Sequence, residues 1–109
     1  MPKPSARLSA VVFILAAGLS ATPGSAEPAD AAHGEQLAKR WCAACHIVSA
    51  DQTRGADNVP AFASIAKKPG FGADQIARFL MDPHPKMPDM QLSRTEAQDL
   101  GAYIASLAR

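Results

Sequence analysis

Cysteine is scarce in this 109-residue chain: Cys42 and Cys45 are the only two. That excludes the multi-bridge disulfide framework that staples many small exported domains, since one bridge at most could form. There is no second C-x-x-C and no H-x-x-x-H spacing, and the other histidines, His33 and His84, stand alone. A four-ligand structural zinc site therefore lacks its other half. Concentrated basic charge is also missing, with 11 Lys and Arg against 10 Asp and Glu, which argues against nucleic acid as a partner. Aromatic residues are only 6% of the chain, a thin supply for a core. No segment alternates with the period of a strand, no internal repeat appears, and no apolar run reaches the roughly 20 residues of a membrane-spanning helix.

Against these absences stands Cys42-Ala43-Ala44-Cys45-His46. C-x-x-C-H is the signature of covalent c-type haem attachment. Two thiols three positions apart on a helical turn share one side of the backbone, which suits them to the two vinyl groups along one haem edge. A histidine directly after the second thiol is then held beneath the iron, so attachment brings an axial ligand with it. A redox-active disulfide is the main competing reading, with half of a zinc site behind it.

The chain opens as a secretory signal peptide. Lys3 and Arg7 give a positive start, Leu8 to Leu19 is an apolar run of about a dozen residues, and Gly24-Ser25-Ala26 offers small residues for cleavage after Ala26. An uncleaved anchor is the alternative, though the apolar run is short for one. Residues 1–26 are thus expected to be a cleaved signal peptide and 27–109 one monohaem domain. The remaining 83 residues carry nine basic and ten acidic side chains. A domain of that size has a marginal core of its own, and a buried haem would add a large apolar plate for short helices to pack around.

The expected fold class is all-α, with about four short helices. Asp30 is a good N-cap for a helix from Ala31 to about Cys42, on which Gly34, Leu37, Ala38 and Trp41 share a face. Gly34 costs a helix up to about 1 kcal/mol relative to alanine, so its presence suggests that another helix passes close. Periodicity is lost from Ile47 to Val59 among turn formers such as Gln52, Gly55 and Asn58. Pro60 suits the first turn of a short helix to Ala66. A third helix runs from about Ala73 to Met81 with Ile76, Phe79 and Leu80 on its apolar face. Pro83, Pro85 and Pro88 then stiffen a non-helical loop. Ser93-Arg94-Thr95-Glu96 is a capping box, opening a last helix to about Leu107 through Ala97, Leu100 and Ile104, with Tyr103 beside them.

His46 fills one axial position. Methionine is an established second ligand that raises the potential, and 27–109 holds Met81, Met87 and Met90. Met81, ending an amphipathic helix, reads as core packing. Met87 sits in the stiffened loop before Pro88, whose missing N–H needs no partner near an apolar face. Met90 is three residues on and remains open as an alternative. His84 is a third candidate, by nitrogen, and reads by default as a solvated loop residue.

Taken together, Gly34, Cys42-Ala43-Ala44-Cys45-His46, Pro60, Met87-Pro88 and Tyr103 resemble the small class I cytochromes c of bacteria over nearly all of 27–109. The resemblance implies the cytochrome c fold, one covalent haem c with its iron, and His46 and Met87 as metal ligands. It also implies that the first and last helices cross with Gly34 near Tyr103. The Pro60 carbonyl would accept a hydrogen bond from His46, fixing the ring and raising its basicity. The family often has an aromatic four residues before the first thiol, where this chain has Ala38, with Trp41 instead directly before Cys42.

The function so implied is electron carriage in the periplasm without catalysis, between redox protein partners. Membrane contact would come only through the signal peptide or a membrane-bound redox partner. Lys67, Lys68, Lys86 and Arg54 are candidates for orienting a partner, although a solvated surface is the default for each. The alternative is a cytochrome subunit of a larger periplasmic oxidoreductase complex. A thiol–disulfide enzyme would call for a β-α-β pattern that is missing, and a ligand-activating haem enzyme would need an open iron position.

Overall fold

The computed structural model describes residues 1–5, 10–13, 17–24, 26–82 and 86–109. Arg7, Ser25, part of the apolar run Leu8 to Leu19, and His84 with Pro83 and Pro85 lie outside these residues. The described residues up to Ala29 are exposed and form neither helix nor strand. No helix among the described residues is long and apolar enough to cross a membrane.

Among the described residues there are four α-helices: α1 (Ala31–Leu37), α2 (Phe62–Ala66), α3 (Ala73–Met81) and α4 (Arg94–Ser106). No strand occurs among the described residues. The fold is all-α. Side chains mark the starts of the first and last helices. The Asp30 carboxylate accepts from the Ala32 and His33 amides to open α1. Ser93 and Glu96 form a reciprocal capping box at α4.

The first helix departs from the expected run to Cys42. After Leu37 it widens into a π-helical turn over Ala38–Cys42, in which the Ala43 amide reaches back five residues to the Ala38 carbonyl. The extra residue in the ring rotates the next side chains by about 100° from the α-helical frame. Gly34, Leu37 and Ala38 are buried as one face, but Trp41 is 45% exposed, with the Arg40 guanidinium 5.0 Å over its ring. The π turn thus removes Trp41 from the face that a 3.6-residue period assigns it.

Two further expectations need correction. Pro60 does not open α2; the helix begins at Phe62, because the Pro60 carbonyl is engaged elsewhere and the Phe62 amide donates to Ile47 O at 3.0 Å. Met81 is not core: it is 46% exposed, since it lies about 140° around α3 from Ile76, off the buried stripe. Phe79 is 43% exposed as well, with its ring set edge-on against Phe71 at 6.0 Å.

Helix α4 lies between α1 and α3, and two glycines let the backbones touch. A Cβ on Gly34 would run into the Asp99 carbonyl and come within 2.9 Å of Tyr103 Cβ. A Cβ on Gly101 would strike the Ala73 carbonyl of α3. The core gathers Leu37, Val48, Phe62, Ile76, Leu100 and Ile104 about these crossings.

Candidate functional site

The Cys42–His46 segment leaves the π turn with carbonyls that have no helical partner, as every helix end does. Buried backbone acceptors must be satisfied from elsewhere, and the chain supplies donors from five places. The Cys45 and His46 amides turn back to Cys42 O. The Gln52 carboxamide donates to Ala43 O and His46 O. The Ala56 amide donates to Cys45 O at 2.8 Å, and that of Phe62 to Ile47 O. The buried Tyr103 hydroxyl donates to Val48 O at 2.6 Å. Gly55 is required where it is, because a Cβ there would come within 2.8 Å of Cys45 O.

His46 is buried at 8% exposure. Its Nδ1 is 2.6 Å from Pro60 O. A carbonyl can only accept, so Nδ1 carries the proton and the neutral ring keeps its lone pair on Nε2. The Phe62 ring packs on the imidazole at 5.1 Å, tilted by 50°. The ring is thereby fixed by one hydrogen bond and one aromatic wall.

Two cavities of about 220 and 440 Å³ open at this point and share His46, Val59, Phe79, Leu80 and Met87 in their walls. Trp41, Cys42 and Cys45 line the smaller one; Pro60, Phe62, Phe71 and Ile104 line the larger. Met87 and Met90 are both half-buried, but Met87 borders both cavities and Met90 only the smaller. Cys42 is half-buried and Cys45 exposed, both as free thiols. Burial pushes the Cys42 thiol up to about 11, the opposite of the depressed value that thiol–disulfide chemistry uses.

An apolar slot with two thiols, a histidine lone pair and a thioether along its walls fits a flat, largely apolar, iron-bearing group bound through sulfur. No cluster of three or more His, Cys, Asp or Glu side chains that could hold a metal ion on its own occurs among the described residues. Sequence reasoning nominates Cys42, Cys45, His46, Pro60 and Met87, and all five lie around this slot. It passes over Gln52 and Phe62, whose contacts depend on how the loop returns. Lys67 and Arg54 stand exposed outside both cavities, while Lys68 borders the larger and Lys86 both.

Known proteins resemble this chain closely. Residues 29–104 match the family model described as cytochrome c oxidase, cbb3-type, subunit III. Over 100 residues the chain is 52% identical to cytochrome c-552 of Bradyrhizobium diazoefficiens, covering 92% of this chain and 94% of that protein. No solved structure matches at a significant level.

Proposed function

Because the chain belongs to the cytochrome c family and carries haem c covalently with its iron, we propose that it is a periplasmic one-electron carrier with His46 and Met87 as axial ligands. When bound, the haem supplies a reversible one-electron couple. The rest is the work of side chains. Cys42 and Cys45 hold the group by thioether links, and His46 offers Nε2 to the iron while Pro60 fixes its ring. Met87 offers a soft thioether, which favours the reduced state and raises the potential. Phe62, Phe79, Leu80 and Ile104 keep water away, which disfavours extra charge on the oxidised site and works in the same direction.

The observation that carries the ligand assignment is that His46 and Met87 both border the two halves of the slot, whereas Met90 borders one. The test is the ferric spectrum of holoprotein matured with the haem-attachment machinery. Met87→Ala abolishes the near-red sulfur-to-iron band and lowers the potential, and Met90→Ala keeps both. Survival of the band in Met87→Ala overturns the assignment.

The family description favours a second reading, a subunit docked in a larger oxidoreductase complex. Native sizing in extract separates the two: a lone small haem species supports the free carrier, and co-migration with a large assembly supports the subunit. Export rests on residues 1–26 acting as a leader cleaved after Ala26.

A further inference from the structure

The Gln52 side chain grips the attachment turn from both ends. Its Oε1 accepts from the Val48 amide at 3.0 Å. Its Nε2 donates to Ala43 O at 3.0 Å, His46 O at 2.7 Å and Arg54 O at 2.7 Å. Two N–H groups are thus shared among three carbonyls, and the acceptor is used as well. The carbonyls it holds lie just after the first thiol, on the axial histidine itself, and on the loop returning to Gly55. Among the described residues no backbone amide bonds these three carbonyls, so the carboxamide supplies what the helix end lacks. Pro60 and Phe62 act on the ring of His46, whereas Gln52 acts on its backbone.

From this geometry we propose that Gln52 is the positioning residue of the haem-attachment turn, setting the orientation in which the two thiols and His46 meet the haem. The proposal rests on the reading of Cys42–His46 as that site. Gln52→Glu is close to isosteric and keeps the acceptor for Val48, but it removes both donors and sets a carboxylate against three carbonyls. Gln52→Ala removes donors and acceptor without adding charge.

Both variants are prepared as holoprotein beside the parent and Ser93→Ala, which loses only the cap of α4, with haem loading read by intact mass. The orientation of the axial histidine is read from the paramagnetically shifted NMR resonances of the ferric protein. These resonances move in both Gln52 variants. Exchange of the His46 and Ala56 amides rises by about tenfold or more in both, while Leu100 and Ile104 in α4 keep the parent rate. Val48 exchange rises in Gln52→Ala and stays near the parent rate in Gln52→Glu, which retains its acceptor. Parent-like resonances in both variants overturn the proposal, and so does α4 exchange that rises as much as that of the turn. If haem loading falls severalfold in the Gln52 variants while Ser93→Ala loads normally, the proposal stands; an equal fall in Ser93→Ala, which loses a helix cap outside the turn, overturns it. A parent without haem would instead sink the reading of the site itself.

Discussion

The His33 imidazole donates from Nδ1 to Asp99 Oδ2 at 2.7 Å, joining the first turn of α1 to the middle of α4. The other carboxylate oxygen accepts from the Asp30 amide at 2.7 Å, so one buried side chain ties down the entry to the first helix. Burial works to raise the Asp99 carboxyl, but the bonds from His33 and Asp30 outweigh it and hold it below the usual carboxylate range. The bond to Asp99 raises His33 above its ordinary 6.5, against a smaller lowering by desolvation, with Asp30 and Glu96 also favouring its charge.

These shifts give stability a pH dependence of definite sign. Asp99, with a lowered folded value, contributes stability that is present above its unfolded value near 3.8 and lost as pH falls through the folded one. His33, with a raised folded value, contributes stability that is full below 6.5 and lost as pH rises through the folded one. Urea midpoints of the parent minus those of His33→Ala are expected to be largest between about pH 4 and 6.5 and to shrink on either side. Asp99→Asn, which cannot accept charge-assisted bonds from both partners, is expected to cost about 1.5–3 kcal/mol near pH 6.

Gly34→Ala sets two terms against each other. Alanine gains up to about 1 kcal/mol in helix propensity. Its methyl meets the Asp99 backbone and Tyr103 Cβ, and overpacking of that kind costs about 1–3 kcal/mol, occasionally more. The obstacle is backbone that cannot swing aside, so the steric term wins and thermal unfolding shifts downward. Gly101→Ala, facing the Ala73 carbonyl, is expected to fall in the same direction.

Phe62→Ala removes a buried ring that both fills the core and walls His46. The expected loss is about 3–5 kcal/mol, read by denaturant unfolding. Phe62→Leu keeps most of the volume but not the aromatic face. It is expected to recover most of that stability while still altering the resonances of the His46 ring.

The exported product is expected to begin at Glu27 and to weigh one haem more than its polypeptide. Its colour is expected to stay with the protein in acidic organic solvent. N-terminal sequencing, intact mass and the extraction check all three.

The helices are legible in the sequence because their signals are local. Asp30 and the Ser93–Glu96 box mark starts, and the apolar spacing from Ala97 to Ile104 marks a face. Gly34 announces the crossing because an unfavoured glycine inside a helix asks for a close neighbour. The π turn at Ala38–Cys42 is not legible: one added residue in a hydrogen-bonded ring leaves no compositional trace, and it moves Trp41 outward. Residue type misleads at Met81, because helical phase decides which side of α3 it occupies. Among residues around the slot, the thiols, His46 and the methionines announce themselves by chemistry. Gln52 and Asp99 look like ordinary polar residues, and their roles appear only once distant backbone is brought alongside.

Both Gly34 and Val48 dock on α4, the final helix. A chain stopped before Arg94 would retain Cys42, Cys45, His46, Pro60 and Met87 in full, yet lose Asp99, Leu100, Tyr103 and Ile104 beneath them. The thiols and the proposed ligands would be synthesised, but Leu100 and Ile104 of the slot wall would be missing and the rest would have no floor to stand on. The carboxyl-terminal thirteen-residue helix is therefore the keystone on which the earlier segments lean, so nonsense changes there should be as damaging as loss of a thiol.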